Sequence, residues 1–284
     1  MKNNLRYKTT LALVLLAATA FRLSAHNGIL VSPKMFLKGA LNSNGLMRND
    51  LRALGLLPST EPYSSLTGFQ HYGGGGGETI ANPSVFAVTG NDAIVDWVMV
   101  EIRSDANPGT PLATRSALLQ RDGDVVAMDG VSAIHFLNVA PGQYHVSVRH
   151  RNHLGVMTAG NFSLSKETTL VDFSDPGVPL YGTSPASTSG GVRALWAGDI
   201  NGDKNVIYQG PGNDIFYLFS YVLYAPGNVN VNPNFMALGY SSRDLNLDGY
   251  AIFNGPNNDR NLLFLQAGME CGALNCIFKE QLPQ

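Results

Sequence analysis

Charge is scarce in this chain of 284 residues: Asp, Glu, Lys and Arg together make up 14% of it, against about 25% in ordinary soluble domains. A surface this poor in charge must be built from Asn, Ser, Thr, Gly and exposed apolar atoms, and little repulsion keeps two copies apart. Basic residues are the scarcer sign. The first 25 residues hold four of the 19 Lys and Arg and none of the 21 Asp and Glu, so the remainder carries 15 against 21, a formal charge of −6. That balance argues against a nucleic-acid partner. Long apolar runs are missing as well: after the run at 11–20, nothing reaches the roughly 18 residues of a membrane-spanning helix. Cysteine is limited to Cys271 and Cys276, in "MECGALNCIF". Two cysteines exclude a disulfide framework and leave zinc without further ligands in the tail. A single local bridge is expected if the chain is exported.

Export is what the N-terminus specifies. Lys2, Arg6 and Lys8 precede the apolar run, which ends in small residues, so residues 1–25 read as a signal peptide cleaved after Ala20 or Ala25. The mature protein is then secreted, extracellular or at the cell surface, with no membrane span. Its residues divide by composition. From 84 to 172, short β-rich runs ("SVFAVTG", "AIVDWVMVEIR", "RSALLQ", "DVVAM", "SAIHFLNV", "QYHVSVRH", "TLVDF") are separated by Asp122-Gly123, Asp129-Gly130 and Pro141-Gly142. That is the spacing of an antiparallel β-sandwich, placed at 26–175 with a long N-terminal segment. In "AIVDWVMVEIR", Ile94, Val98, Val100 and Ile102 are expected on one face as core, and Trp97, Met99, Glu101 and Arg103 on an amphipathic other face.

Within the N-terminal segment, Met47, Leu51 and Leu54 predict a short helix that Pro58 ends. Five consecutive glycines at 73–77 lack both a GK[ST] sequence and a preceding strand, so they read as linker or close-packed loop rather than a phosphate loop. Residues 176–191, "PGVPLYGTSPASTSGG", are uncharged and rich in Pro, Gly, Ser and Thr, as a linker or strap would be.

Residues 192–284 contain a duplication. "DINGDKNVIYQGPGND" at 199–214 and "DLNLDGYAIFNGPNND" at 244–259 align at an offset of 45. Each begins as a calcium loop does, with oxygen side chains on alternate residues, yet each has Gly at the twelfth position, where a closing carboxylate is expected, and Asp at the sixteenth. The loop is four residues longer than usual. The candidate ligands are Asp199, Asn201, Asp203, the Asn205 carbonyl and Asp214 in the first copy, and Asp244, Asn246, Asp248, the Tyr250 carbonyl and Asp259 in the second. A hard cation that takes about six to eight oxygens suits these sets, so two Ca2+ ions are expected; magnesium suits flexible oxygens less, and zinc prefers His or Cys. From 190 to 284 there are eight acidic residues, and six are these aspartates, a concentration that a merely solvated face would not show. Lys204 stands at the sixth position, where Gly249 of the second copy permits the tight turn, so the first loop is expected to be weaker or differently turned. Each loop is followed by an apolar stretch, "IFYLFSYVLY" and "NLLFLQAGM", able to form a helix that packs one repeat on the other.

The paired D-x-N-x-D loops resemble a dockerin-like, EF-hand-like calcium module with short helices. Taken with "DWVMVEIR" (96–103), "LLQRDGDVV" (118–126) and "RHRNHLGVMTA" (149–159), they resemble secreted bacterial surface proteins of the hemagglutinin-like or dockerin-like kind. The resemblance implies an extracellular, calcium-binding, non-enzymatic β protein. His150 and His153 in "RHRNH" have no GxSxG, HExxH or close carboxylate pair with them, so a structural role, pairing with Asp96, is expected. The chain is therefore expected to be a calcium-stabilised structural protein that assembles with copies of itself, the segment 29–72 adding a strand to a neighbour's sheet and burying Met35, Leu37 and Leu41 there. The alternatives are that this segment folds onto its own sandwich, or that the protein is a monomeric adhesin for a surface glycan or protein.

Overall fold

A computed structural model describes residues 28–188 and 191–283. The signal-peptide reading of 1–25 lies outside the described residues. The protein is mainly β, with few helices, and its first half is two facing sheets. The strands are β1 (Ile29–Lys34), β2 (Ile94–Ser104), β3 (Pro111–Gln120), β4 (Val125–Val126), β5 (Ile134–Phe136), β6 (Gly142–Arg149), β7 (Val156–Met157), β8 (Phe162–Leu164) and β9 (Thr169–Asp172). The larger sheet runs β4-β3-β2-β6-β7, with β8 also paired to β6, and all its pairings are antiparallel. The smaller runs β5-β1-β9, where β1 pairs β5 antiparallel and β9 parallel.

The two sheets bury Val98, Val100, Ile102, Ala117, Val146 and Val148 against Ile29, Val31, Phe136 and Val171. The larger sheet's other face is not exposed. Trp97, Met99 and Leu118 lie there under Tyr63, Ile80 and Val85, so the segment between β1 and β2 acts as a third layer. This corrects the expectation of an amphipathic face on β2, where every residue through Arg103 is buried. The register shift between Ile94 and Asp96 also turns Ile94 to the Trp97 side, because a bulge inserts one residue into the alternation. A second correction is local: "SVFAVTG" forms a 3₁₀ turn (Pro83–Ala87) rather than a strand, started by Pro83 and by the Asn82 side chain accepting from Ser84 N–H. The expected helix is the short α1 (Asp50–Ala53), with Leu51 buried and Leu54 exposed.

The glycine run is an ordered turn against β3. A Cβ on Gly75 would sit 2.3 Å from the Thr114 carbonyl oxygen, so only glycine lets this backbone lie so close to the strand. Glu61 fastens it, accepting from Gly77 N–H at 3.0 Å and from Tyr63 N–H at 2.6 Å. The uncharged stretch after β9 straps the sandwich: Ala159 N–H donates to Pro179, Tyr181 N–H to Met157, and Ser187 and Ala194 bridge each other.

The expectation that 29–72 adds a strand to a neighbour fails for this chain. β1 is an interior strand with partners on both edges, Met35 and Leu37 are wholly buried in their own core, and Leu41 packs beside them. The backbone groups a neighbour would need are already used, and an intramolecular partner carries no cost of association.

The rest of the chain is β10 (Asn205–Ile207), α2 (Asp214–Leu223), β11 (Met236–Leu238), β12 (Tyr250–Ile252), α3 (Asp259–Leu265), a π turn (Gln266–Cys271) and β13 (Ile277–Lys279). Cys271 and Cys276 are disulfide-bonded, with Cα atoms 6.3 Å apart. No helix among the described residues is long and apolar enough to cross a membrane.

Candidate metal centre

The duplication is a duplication of structure. β10 and α2 recur as β12 and α3 at the same offset of 45. The shared core uses equivalent positions of both copies: Ile200 and Leu245, Val206 and Ala251, Leu218 and Leu263. Each loop is entered from extended chain or turn and left by a helix, so these are loop–helix units rather than helix–loop–helix hands. The two short strands do not pair with each other either, since β10 pairs β13 and β12 pairs β11.

Inside the loops most of the hydrogen bonds repeat, although Asp244 Oδ1 also accepts from Asp248 N–H at 3.1 Å whereas the equivalent Asp199 Oδ1 has no partner. Asp214 accepts from Ile200 N–H at 2.9 Å and Ile207 N–H at 2.8 Å; Asp259 accepts from Leu245 at 2.6 Å and Ile252 at 2.8 Å. The first aspartate accepts from the sixth residue's N–H, Lys204 to Asp199 at 3.1 Å and Gly249 to Asp244 at 2.8 Å. Asn201 and Asn246 each accept from the N–H two residues on and donate to the next aspartate, Asp203 or Asp248. Those aspartates accept from the N–H of Asn205 and Tyr250, and this pins the chain where the carbonyl ligands are expected. The fourth, sixth, twelfth and fourteenth positions all have positive φ: Gly202, Lys204, Gly210 and Gly212, then Leu247, Gly249, Gly255 and Asn257. Lys204 at φ 67 makes the same left-handed turn as Gly249, correcting the expectation of a different one. A Cβ in that conformation costs about 1–2 kcal/mol, met here by the surrounding hydrogen bonds.

Asn213 and Asn258 do a job the sequence did not disclose. Both cap the following helix, accepting from Phe216 and Asn261 N–H at 2.9 and 2.8 Å. They also tie back to the Gly210 and Gly255 carbonyls. The four-residue insertion is therefore a turn plus a helix cap that returns the last Asp into the loop. The asparagine shared by both copies was the available signal.

The loops concentrate negative charge away from water. Asp214, Asp244 and Asp259 are essentially inaccessible, and Asp199 Oδ1 is buried without a hydrogen-bond partner. Burial, and then the neighbouring Asp203, push Asp199 up to about 7. Burial pushes Asp214 up to about 8 against the opposing pull of its two N–H donors. Asp244 rises to about 7 through burial despite Arg151, and Asp259 is driven well up by burial and by Asp244. The second loop also has Arg48 Nη1 4.0 Å from Asp248. Arg48 and Arg151 are remote in sequence, so nothing near the loop announced them.

Among the described residues no three His, Cys, Asp or Glu side chains form a metal cage by themselves. A hard-cation site here would be a mixed set of carboxylate, amide and carbonyl oxygens. The chemistry fits, because a carboxylate oxygen that accepts one N–H retains a second lone pair.

His150 and His153 lie outside the loops, in a buried polar joint. Asp96 Oδ2 receives His150 Nε2 and Arg151 Nε, each at 3.0 Å, and Asp96 Oδ1 receives the Tyr240 hydroxyl at 2.6 Å and Trp97 N–H at 2.8 Å. Gly39 N–H donates to His153 Nε2, so His153 carries its proton on Nδ1 and faces Asn152 Oδ1 at 2.8 Å and His150 Nδ1 at 3.1 Å. Burial lowers both imidazoles, and with Nε2–H of His150 given to Asp96 the pair is neutral. Asn152 donates onward to the carbonyls of Ser242 and Asp244, and Arg151 to that of Ser241. The expected pairing with Asp96 is present, and the segment also anchors the sandwich to the second loop.

No protein-family model matches the chain, and no curated protein matches it. Among solved structures, it is similar to a chain in the crystal structure of a type II cohesin–X-dockerin complex, an N-terminal interface mutant, from Acetivibrio cellulolyticus. The identity is 17%, over 59% of this chain and 78% of that one, with a TM-score of 0.27. A likeness that loose says nothing about function.

Proposed function

We propose that the chain is an exported calcium-binding structural protein, of the dockerin-like surface-protein kind, whose two loops each hold one Ca2+. The first site takes Asp199, Asn201, Asp203, Asp214 and the Asn205 carbonyl; the second takes Asp244, Asn246, Asp248, Asp259 and the Tyr250 carbonyl. The observation that carries this reading is the burial of three loop carboxylates, Asp214, Asp244 and Asp259, together with an Asp199 oxygen that is buried and that nothing partners. Asx turns that only cap the backbone stay in water, where ionisation costs nothing. A divalent cation removes the penalty that burial imposes here. Extracellular sites bind with dissociation constants of about 10⁻⁴ to 10⁻³ M, and calcium at ten times that value stabilises by about 1.4 kcal/mol per site.

Assembly with further copies falls in this reading to the C-terminal part. Phe216, Tyr224, Val229, Met236, Leu238 and Met269 are each more than half exposed, on a molecule with little charge to hold copies apart. The test is metal content and melting together. Secreted protein should hold two calcium ions and melt lower after chelation, and Asp203→Ala and Asp248→Ala should each remove one ion. A melting curve indifferent to chelation, or two ions retained in the double variant, would refute the assignment.

A further inference from the structure

Lys38, Ser187 and Glu270 come from three distant segments and meet at one buried point. A single stretch, residues 194–197, places all three. Lys38 N–H donates to the Leu195 carbonyl at 3.2 Å, and Ser187 and Ala194 exchange two backbone hydrogen bonds at 2.9 Å. Gln266, which opens the π turn that carries Glu270, donates from its side chain to the Ala197 carbonyl at 3.0 Å. The floor is the Trp196 ring, whose centroid lies 5.1 Å from Lys38 Nζ and 4.4 Å from that of Phe278. Lys38 Nζ lies against Glu270 Oε1 and donates to Ser187 Oγ at 2.7 Å, and that hydroxyl oxygen is 3.0 and 2.9 Å from the two Glu270 oxygens. The lysine and glutamate side chains are 16% and 13% exposed, and Ser187 is 1% exposed.

We infer that Lys38 and Glu270 join in an intramolecular amide, a cross-link between the segment after β1 and the C-terminal π turn. Left ionised, the pair holds two charges out of water, where desolvation can exceed the mutual attraction. An amide removes both charges. Burial lowers the Lys38 ammonium from its ordinary value, toward the neutral amine that is the nucleophile. Transfer of its proton to the adjoining carboxylate leaves an amine facing a carboxylic acid. The nitrogen lone pair then attacks Glu270 Cδ, and a C–N bond forms. One nitrogen proton passes to the carboxyl hydroxyl, with Ser187 Oγ as the bridging group, the C–O bond breaks and one water leaves. Amine and acid give amide and water, so no oxidant or further reactant is needed. Groups held in contact react with effective molarities of about 10⁵–10⁸ M, which stands in for an activated acyl group. Lys34 and Asp124, a lysine–carboxylate pair at 2.8 Å, are 26% and 50% exposed and keep their charges in water, so they stay unlinked. The cross-link uses no candidate calcium ligand and no second copy, so it stands apart from the calcium and assembly readings.

The experiment is a tryptic map of the secreted protein, reduced and alkylated, read by tandem mass spectrometry. Trypsin does not cut after an acylated lysine, so residues 35–48 and 261–279 should appear as one branched peptide, lighter than the two together by one water, with fragments that place the link at Lys38 and Glu270. The separate peptides 39–48 and 261–279 should be depleted to match, whereas cleavage after Lys34 should be complete. Lys38→Arg should return 261–279 as a free peptide. If that variant does not fold and is not secreted, the map of the unaltered protein decides alone. Peptides 39–48 and 261–279 both free in full yield, or a water loss whose fragments map to any other pair of residues, would overturn the inference.

Discussion

Asp96 is a single carboxylate that His150, Arg151, Tyr240 and the Trp97 N–H all address. Burial alone would raise it, but the Arg151 guanidinium and then the His150 N–H outweigh burial and hold it at about 2. A value depressed below the ordinary 3.9 contributes stability that is present above pH 4 and is lost as pH falls toward 2. Asp96→Ala leaves the Arg151 charge buried and unpaired, which costs about 3–5 kcal/mol. Urea unfolding of the variant should show that loss, and a change below about 1 kcal/mol would show that the joint is not under this electrostatic control. A partnership of Asp96 with the histidines was legible from residue types. The share taken by Tyr240 was not, because it lies 144 residues away and only the fold brings it near.

At the scale of elements, the buried loop aspartates carry a defined pH signature. In the metal-free chain Asp199 and Asp244 stand at about 7 and Asp214 at about 8, all raised first by burial. Folded values above the unfolded one mean a contribution complete below about pH 4 and lost as pH rises through 7 to 8. Metal-free protein should therefore lose stability across that window, and calcium should restore it. Binding at pH 7 should release protons. Calorimetric heats of calcium binding should differ between two buffers of unlike ionisation enthalpy, and equal heats would mean that the carboxylates are already ionised. The Cys271–Cys276 bridge closes only a five-residue separation, so its reduction should shift melting little. The glycine and asparagine pattern of the loops was readable because each left-handed position is a local demand. The fate of β10 and β12 was not, since strand pairing is chosen by whatever edge is near.

For the whole molecule, three segments far apart in sequence share one interior. Leu195 and Leu247 belong to the sandwich core, while Leu154 of the sandwich side lies in the core of the repeats. The second loop is tied to the joint through Asn152, which donates to the Asp244 carbonyl, so calcium bound there, as proposed, would brace the joint as well. The proposed assembly would depend on the C-terminal apolar side chains and not on β1, whose two edges are already paired. Light scattering at high concentration in millimolar calcium should show species larger than a monomer that Phe216→Ser and Met269→Ser together reduce. A monomer at every concentration would refute the proposed assembly.

The sequence by itself determined what is local or repetitive. Alternation and turn residues marked most of the sandwich strands, and a period of 45 marked both loops with their Asp and Asn residues in order. Such features follow from backbone preference and from spacing along one short stretch, which need no knowledge of distant chain. Only the tertiary structure decided that β1 is an interior strand, that Trp97 and Met99 face a third layer, and that Lys38 meets Glu270. Each of those depends on which remote segment covers a face or an edge. That choice is made by competition for buried area over the whole chain, and no window of sequence contains it.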